Sequence, residues 1–375
     1  MILGLLLACR TAPPPPLREE AYVWQRVWSP AVEQAVASSD LDALTVLAAE
    51  LAWPDGTPRV TEIALPTLPA NTTLAIRSAP PADDPTPILA PLIRTLLAAH
   101  PEATAVQLDI DLPTARLAEY ADWITRLSAG CPVPVEITAL PTWLSSPAMA
   151  DLTAAAARTI LQVHWLDPSA PDHLLDPDAW EHLRALSLFD QPFSAALPAY
   201  GYQVARDPDG GLAGIVAEQG HLVGGGEEVM ADPVAVARLV TALRDDRPEH
   251  LTGLHWFRLP VDGDLRAWPI ETLRAVRQGR PPTTDATITA ADDGGALTLT
   301  LKNTGEARLS PPTIVIEGSV LAADGLGGWR WSASTSRLLP EDVPPLPPGA
   351  SMVVGWLRPL STPPALRLSY DSSDH

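Results

Sequence analysis

The sequence predicts an α/β protein, a partly irregular (β/α)8 barrel of the TIM type followed by a small all-β sandwich domain. About eight strand-like runs alternate with helical patterns between residues 21 and 281, which is the proportion of a (β/α)8 barrel. Beyond residue 282 the apolar residues alternate with a period of two, and no helical pattern of useful length occurs. The length of the chain is compatible with a barrel and a second domain, because 375 residues suffice for about two domains.

The barrel strands are predicted from short runs rich in apolar and β-branched residues. The eight runs are AYVWQRVW (21–28), LTVLAAEL (44–51), TLAIRSA (73–79), AVQLDID (105–111), VPVEITAL (133–140), TILQVHW (159–165), FSAALPAY (193–200) and LTGLHWFRL (251–259). A further strand-like run, RVTEIAL (59–65), stands where a helix is expected between the second and third strands. That unit of the barrel is therefore predicted to be irregular.

Helices are predicted where apolar residues recur at helical spacing between the strands. Four examples are ILAPLIRTLLAAH (88–100), ARLAEYADWITRLSAG (115–130), DAWEHLRALSL (178–188) and DPVAVARLVTALRDD (232–246). The last opens with the N-cap residue Asp232 and with Pro233 at the first helical position. After the seventh strand, a hairpin turned at residues 209–211 predicts an insertion, and insertions in barrels usually lie at the C-terminal face of the strands.

The domain boundaries follow from these changes of pattern. Residues 1–20 are predicted to be a lipoprotein signal and Pro-rich spacer, residues 21–281 the barrel, and residues 282–375 the β-sandwich. The Pro281–Pro282 pair indicates a hinge between the last two. We therefore expect limited proteolysis to cut near residues 278–286 first.

The N-terminus resembles a bacterial lipobox. In that pattern, seen here as Leu6–Cys9, the peptide is cut before the Cys, whose sulfur then carries lipid. Pro13–Pro16 would form a stiff, extended spacer. On this interpretation Cys9 is the lipidation site, the protein is a periplasmic or outer-membrane lipoprotein of the cell envelope, and Cys131 has no disulfide partner. The alternative is a ragged N-terminus with an accidental Cys, since the usual basic start is missing.

Charge and motifs limit the possible partners. The net charge of −20 and the pI near 4.6 argue against nucleic acid or anionic lipid, because both would be repelled. The lipid anchor is then the only expected membrane contact. No Gly-x-Ser-x-Gly elbow, phosphate loop or dinucleotide fingerprint occurs, so we expect no cofactor. We also expect no metal, because His164, His255 and Asp109 lack any local ligand spacing such as His-x-x-x-His.

Two acids stand at the C-terminal end of the fourth predicted strand, AVQLDID. Side chains alternate between the two faces of a strand, so its apolar residues are predicted to face the helices. Gln107, Asp109 and Asp111 are then predicted to face the barrel axis. Two residues of rise separate the two carboxylates by about 7 Å along that face, where they repel each other. The pair therefore indicates either a functional site or a compensating cation.

The same alternation places polar side chains of the neighbouring strands inside the barrel. A barrel interior is normally filled by branched apolar residues, so polar residues at this end of several strands predict a ligand site. Besides Gln107, the predicted binding residues from these strands are Arg77, Glu136, Thr138, Gln162, His164 and Tyr200. The register of the first and last strands leaves the direction of Trp24 and Trp256 open.

A structural network is the alternative explanation for these polar residues. Arg77 can neutralise Asp109 as a buried pair, with the neighbouring glutamines and Glu136 completing the hydrogen bonds. The position of Asp111 at the mouth, where the strand ends before Pro113, favours a site for the set as a whole.

Tryptophan provides a second indication of the ligand. The chain has 12 Trp against 3 Phe, and several Trp, including Trp143 and Trp256, fall near the C-terminal ends of predicted strands. Indoles beside carboxylates suit sugars, whose C–H faces stack on aromatic rings while their hydroxyls bond to polar side chains. Packing at the barrel rim is the alternative. The clustering at one face favours a carbohydrate ligand in contact with Trp143 and Trp256.

Several sequence blocks in order resemble a known bacterial family. YVWQRVW, VQLDID, ITALPTWL, LQVHWLD, ALPAYGY and LHWFRLP resemble domain of unknown function 3142, and this resemblance implies an envelope protein of barrel type without an established activity. A looser similarity is to chitinase-like glycoside hydrolase barrels, whose fourth strand ends D-x-x-D-x-D-x-E with the final Glu as general acid. Thr104, Gln107, Asp109 and Asp111 occupy those four positions. Only Asp109 matches, and Asp111 is an acid one methylene short.

Two functions are compatible with these residues. The first is an envelope-anchored glycoside hydrolase-like protein acting on a polysaccharide, with Asp111 as the acid and Asp109 kept ionised by Arg77. The second is a catalytically silent lipoprotein that binds a glycan or another envelope component. Turnover of a labelled polysaccharide separates the two. On the first interpretation we expect an Asn at position 109 to cost stability, because Arg77 loses its charge partner.

Overall fold

The computed structural model describes residues 15–164, 174–207, 209, 211–216, 226–341, 343–361 and 363–369. Cys9 and most of the Pro-rich spacer lie outside these ranges, so the lipobox remains a prediction from the sequence. Within the ranges, none of the helices has the length and apolar character needed to cross a membrane.

The first part of the chain forms a closed parallel barrel. Its strands and those inserted between them are β1 (Arg18–Val23), β2 (Ala43–Ala52), β3 (Arg59–Glu62), β4 (Thr72–Ser78), β5 (Ala103–Ile110), β6 (Val135–Ala139), β7 (Arg158–Gln162), β8 (Phe193–Pro198), β9 (Gly201–Arg206), β10 (Leu212–Val216), β11 (Glu227–Met230) and β12 (Leu251–Phe257). The order around the barrel is β1-β2-β4-β5-β6-β7-β8-β12, and β12 pairs with β1 to close it. The predicted eight-stranded barrel is confirmed.

The irregular unit lies where the sequence predicts it. β3 pairs antiparallel with the end of β2, Ala52 opposite Arg59, and the segment between β2 and β4 contains a short 3-10 turn (Pro54–Gly56) but no α-helix. The predicted hairpin after the seventh barrel strand is β9 and β10, which with β11 form a separate antiparallel sheet. β1 begins at Arg18, so residues 18–20 belong to the barrel rather than to the spacer.

Helices cover the outside of the barrel. They are α1 (Pro30–Ala37), α2 (Thr86–Ala99), α3 (Leu117–Gly130), α4 (Met149–Ala155), α5 (Ala179–Ser187), α6 (Pro233–Asp245) and α7 (Ile270–Arg277). The four predicted helices are α2, α3, α5 and α6. The helix α6 begins as the sequence indicates, since the Asp232 carboxylate accepts the Val234 amide at 2.8 Å and Pro233 takes the first position.

Alternation along the strands separates a helix-facing core from the barrel interior. In β5, Val106, Leu108 and Ile110 are fully buried in the core shared with the helices. The structure also decides the register of the first and last barrel strands. Tyr22 and Trp24 pack with Phe257 inside the barrel, whereas Ala21, Val23, Leu254 and Trp256 belong to the helix-facing core.

The C-terminal part forms two packed antiparallel sheets. Its strands are β13 (Ala286–Asp293), β14 (Ala296–Asn303), β15 (Thr313–Glu317), β16 (Val320–Gly325), β17 (Trp329–Ser332), β18 (Arg337–Pro340), β19 (Ser351–Pro359) and β20 (Ala365–Ser369). One sheet has the order β13-β14-β19-β16 and the other β17-β18-β15-β20. Leu299 and Val354 of the first sheet share a core with Ile314 and Leu338 of the second. The predicted β-sandwich is confirmed.

The segment between barrel and sandwich is held by hydrogen bonds. The amides of residues 304–307 donate to the carbonyls of Thr283 and Asp285 at 2.8 to 3.0 Å. Arg280 forms a bidentate ion pair with Glu306, both contacts at 2.6 Å. The segment in which the sequence indicates a hinge is therefore tied to the loop between β14 and β15.

Candidate functional site

A cavity opens at the carboxyl ends of the barrel strands, the end at which barrel enzymes carry their sites. Its volume is about 350 Å³, within the range of small-ligand pockets. The residues that line it are Tyr22, Trp24, Arg77, Asp109, Asp111, Thr138, Leu140, Gln162, His164, Ala196, Tyr200, Tyr202 and Phe257. Seven of the residues predicted from sequence as catalytic or binding groups are brought together here. They are Arg77, Asp109, Asp111, Thr138, Gln162, His164 and Tyr200.

The two carboxylates occupy different depths of this cavity. Asp109 is half-buried at the end of β5, and Asp111 is exposed at the mouth. The Thr138 hydroxyl on β6 donates to Asp109 Oδ1 at 2.7 Å, and the Gln162 amide on β7 donates to the same oxygen at 3.4 Å. The neighbouring strands therefore fix the orientation of Asp109, while Asp111 can reach a bound ligand.

Burial and mutual repulsion change the acidity of the pair. Burial, and secondly the negative charge of Asp111, raise the pKa of Asp109 from 3.8 to about 6, although the Thr138 hydrogen bond and Arg77 act in the opposite direction. Partial desolvation by the protein around the mouth also raises the pKa of Asp111, against the influence of Arg77. The sequence predicts that Arg77 keeps Asp109 ionised. In the structure Arg77 is exposed to solvent, and burial has a larger effect on the pKa of Asp109 than Arg77 has. The pair retains a proton at a higher pH than isolated carboxyls would.

An aromatic wall faces the carboxylates. The His164 ring stacks on Phe257, with centroids 5.5 Å apart and planes at 22°, and its Nδ1 lies 3.3 Å from the Tyr200 hydroxyl. The hydroxyls of Tyr200 and Tyr202 are 2.6 Å apart. Burial lowers the pKa of His164 to about 4, so this ring is neutral at neutral pH. The wall thus combines apolar ring faces with hydroxyl groups and no charge.

Comparison with known proteins finds a family model that matches the part of the chain around this site. Residues 84–262 match the model described as "Domain of unknown function (DUF3142)". The matched segment is 179 of the 375 residues long. It contains both carboxylates, the residues that bond to Asp109 and most of the aromatic wall. No curated protein matches the chain significantly.

Solved structures are similar to this chain at low sequence identity. The spore cortex-lytic enzyme SleL of Bacillus cereus is 10% identical, with a TM-score of 0.42, over 65% of this chain and 71% of its own. The GH18 chitinase ChiB of Flavobacterium johnsoniae is 11% identical, with a TM-score of 0.47, over 70% and 93%. The xylanase-A-amylase inhibitor protein XAIP-III is 12% identical, with a TM-score of 0.41, over 65% and 94%.

Four predicted binding residues lie away from this cavity. Trp256 is fully buried on the helix side of β12, because the alternation that points Phe257 inward points its neighbour outward. Trp143 is also buried, and its Nε1 donates to the Leu112 carbonyl at 3.1 Å. Gln107 and Glu136 point into the barrel, but they lie in a polar layer that does not line the cavity. The prediction that these four residues contact a ligand at the mouth is therefore wrong, because none of them lines the cavity.

The polar layer that contains Gln107 is organised by an arginine that the sequence did not single out. Arg158, at the start of β7, donates to Glu20 at 2.6 and 2.8 Å and to Glu136 at 3.0 and 3.1 Å. Gln107 joins the layer by accepting the Tyr22 hydroxyl at 2.8 Å and by donating to Glu136 at 3.4 Å. The structural network that was the alternative explanation therefore exists one layer below the site, with Arg158 instead of Arg77.

His255 also belongs to this lower layer. Its Nε2 lies 2.8 Å from the Thr45 hydroxyl and 3.3 Å from a Glu20 oxygen, and burial lowers its pKa to about 3. It is therefore a neutral structural residue rather than a lining residue of the cavity. Among the described residues, no group of three or more His, Cys, Asp or Glu could hold a metal ion.

The sequence contained signals for part of this layer. The sequence analysis assigns Glu20 to the spacer, because the first strand-like run begins at residue 21. Arg158 precedes the sixth run by a single residue. Alternation extended from the sixth run would place Arg158 on its inward face, whereas the open register of the first run leaves the direction of Glu20 undecided.

Proposed function

We propose that the protein binds a carbohydrate at the mouth of the barrel and cleaves a glycosidic bond there by acid catalysis. The observation that carries this proposal is the carboxyl pair Asp109 and Asp111, which keeps a proton above the usual pH range and lies beside an aromatic wall. Glycoside cleavage needs a carboxylic acid that still holds its proton near the working pH. Aromatic faces beside hydroxyl and carboxyl groups are what a sugar ring requires.

Asp111 is the proton donor in this proposal, because it is exposed at the mouth. It transfers its proton to the glycosidic oxygen while the bond from that oxygen to the anomeric carbon breaks, the electron pair remaining on the oxygen. Water then adds to the anomeric carbon and returns a proton to the carboxylate. Desolvation raises the pKa of Asp111, so that it can hold the proton, and Asp109 beside it is held in place by Thr138 and Gln162. Arg77, His164 and Tyr200 contact the sugar.

The second candidate is a catalytically silent barrel that binds a glycan or another envelope component. One observation favours it. Asp111 stands where chitinase-like barrels have a glutamate, and its carboxyl group is one methylene closer to the strand. A shorter acid in this position holds its proton farther from a glycosidic oxygen bound in the cavity.

Replacing Asp111 by Asn tests the proposal and separates the candidates. Asn keeps the volume of the side chain and removes the proton, so hydrolysis of a labelled envelope or extracellular polysaccharide should fall by about 100-fold or more, while binding is retained. The matched control is Asp122→Asn, an exposed acid on α3 outside the cavity, which should hydrolyse normally. If the Asp111→Asn variant hydrolyses the polysaccharide at the normal rate, Asp111 is not the acid. Binding without turnover by the native protein supports the silent candidate.

For the location of the protein, we propose a lipid anchor at Cys9 in the bacterial cell envelope, supported by Leu6–Cys9 and the prolines that follow. With a complete signal sequence, the native protein should incorporate a radiolabelled fatty acid and partition with membranes. The Cys9→Ala variant should do neither. Equal absence of label from both forms would remove the lipoprotein proposal.

A further inference from the structure

A second cavity adjoins the first at the mouth of the barrel. Its volume is about 520 Å³, and its walls are the ends of β2 and β4 and the inserted strand β3. The residues that line it are Glu50, Leu51, Ala52, Arg59, Thr61, Arg77, Ser78, Ala79, Pro80 and Asp111. Arg77 and Asp111 line both cavities. The two spaces are therefore neighbours across these two side chains.

Strand register explains how the cavities are joined. Asp109 pairs in register with Arg77, Arg77 with Glu50, and Glu50 with Thr61 across four neighbouring strands. Residues in register on adjacent strands present their side chains on the same face, about 5 Å apart. A row of polar groups thus runs from the deep carboxylate of the first cavity onto the inserted strand that forms the wall of the second.

The irregular unit of the barrel creates the second cavity. Where a regular barrel has a helix between its second and third strands, this chain has β3, whose four residues are all exposed. β3 extends the sheet beyond β2 and places Arg59 beside Ala52 and Thr61 beside Glu50. The wall is therefore backbone-paired and rigid, although its side chains are open to solvent.

The two cavities differ in the way they can hold a sugar. Among the described residues, none that lines the second cavity is aromatic, whereas the first has Tyr22, Trp24, Tyr200, Tyr202 and Phe257. The polar groups of the second cavity are hydrogen-bonding groups, and its Glu50 is fixed by a bidentate contact with Arg26 at 2.7 and 2.8 Å. The first cavity suits a ring that stacks, and the second suits a ring held by hydrogen bonds.

We infer that the substrate is a linear glycan that spans both cavities, with its cleaved bond above Asp111. This inference rests on the proposed function and adds the class of substrate and its placement. One sugar stacks on the aromatic wall of the first cavity. The next sugar, which leaves with the protonated oxygen, lies in the second cavity against Arg59 and Thr61. A monosaccharide fills the first cavity alone and lacks half of the contacts.

The test measures how binding depends on chain length. Oligosaccharides of one to five units from chitin, β-1,4-glucan, xylan and polygalacturonate are titrated calorimetrically into the native protein and the Asp111→Asn variant, which prevents turnover. For the glycan that binds, affinity should rise at least about tenfold from one unit to two, since two or more hydrogen bonds are added. Arg59→Ala combined with Thr61→Val should abolish this rise without weakening the binding of the single sugar.

The matched control is Glu62→Gln, a residue of the same exposed strand that does not line the cavity, and it should keep the dependence on chain length. Equal affinity for one unit and two, or a full rise in the Arg59 and Thr61 double variant, overturns the spanning substrate and leaves the proposed function intact. Absence of binding by every oligosaccharide contradicts the proposed function itself.

Discussion

Replacing Asp109 by Asn should stabilise the protein at neutral and alkaline pH and leave its stability almost unchanged in acid. In the native protein, burial and the charge of Asp111 raise the pKa of Asp109 from 3.8 to about 6. The unfolded chain therefore loses this proton at a lower pH than the folded protein does. As pH rises from about 4 to about 6, the native protein loses stability, because ionisation favours the unfolded state.

The size of the effect follows from the pKa. Each pKa unit corresponds to about 1.4 kcal/mol, so a change from 3.8 to about 6 destabilises the folded protein by up to about 3 kcal/mol above pH 7. Asn does not ionise, and its Oδ1 can still accept the Thr138 hydroxyl and the Gln162 amide. The variant should therefore gain most of this free energy of unfolding at pH 8 and very little at pH 4. This is the opposite of the loss expected from the sequence alone.

Urea unfolding followed by tryptophan fluorescence at pH 4 and pH 8 measures the difference. The exposed Asp122→Asn variant is the control and should differ from the native protein by less than about 0.5 kcal/mol at both pH values. The reasoning is refuted if the Asp109→Asn variant is less stable than the native protein by the same amount at both pH values. That result would mean that the ion pair with Arg77 outweighs burial.

Two further predictions concern the parts of the molecule that support the site. Arg158→Met should cost about 3 kcal/mol or more in urea unfolding, because Glu20 and Glu136 would remain buried without their cation; a cost below about 1 kcal/mol contradicts the charge network. Residues 278–286 should not be the first segment cut in limited proteolysis, because hydrogen bonds tie this segment to residues 304–307. First cleavage within 278–286 would instead support the hinge expected from the sequence.

The sequence by itself determined the type of fold and the position of the acids. Eight strand-like runs with helical segments between them predict a barrel, because each element carries its own hydrophobic period. The period of two also assigns opposite faces to Leu108 and Asp109, whatever the remainder of the chain does. The two carboxylates, and the polar residues of β6 and β7 that bond to Asp109, were found in this way. The inserted strand β3 was visible as well, since its residues lack a helical pattern.

Only the tertiary structure decided which face of β1 and β12 points inward. The strand β12 carries an aromatic residue on each face, Trp256 and Phe257, and Trp24 at the end of β1 could face either way. Alternation therefore leaves two registers, and the sequence assigned Trp256 to the ligand. Packing resolves the choice, because the interior admits Phe257 beside Tyr22 and Trp24, while Trp256 fills the space between β12 and the helices.

Long-range pairing and burial are the other properties that the sequence could not supply. Arg158 meets Glu20 across 138 residues, and closure of the barrel alone brings β1 and β7 to opposite sides of one interior. The pKa of Asp109 depends on how many protein atoms displace water around it, which no local pattern records. Alternation is a property of the chain near each residue, whereas register, closure and desolvation arise from all the strands together, and these three decide which acid keeps its proton.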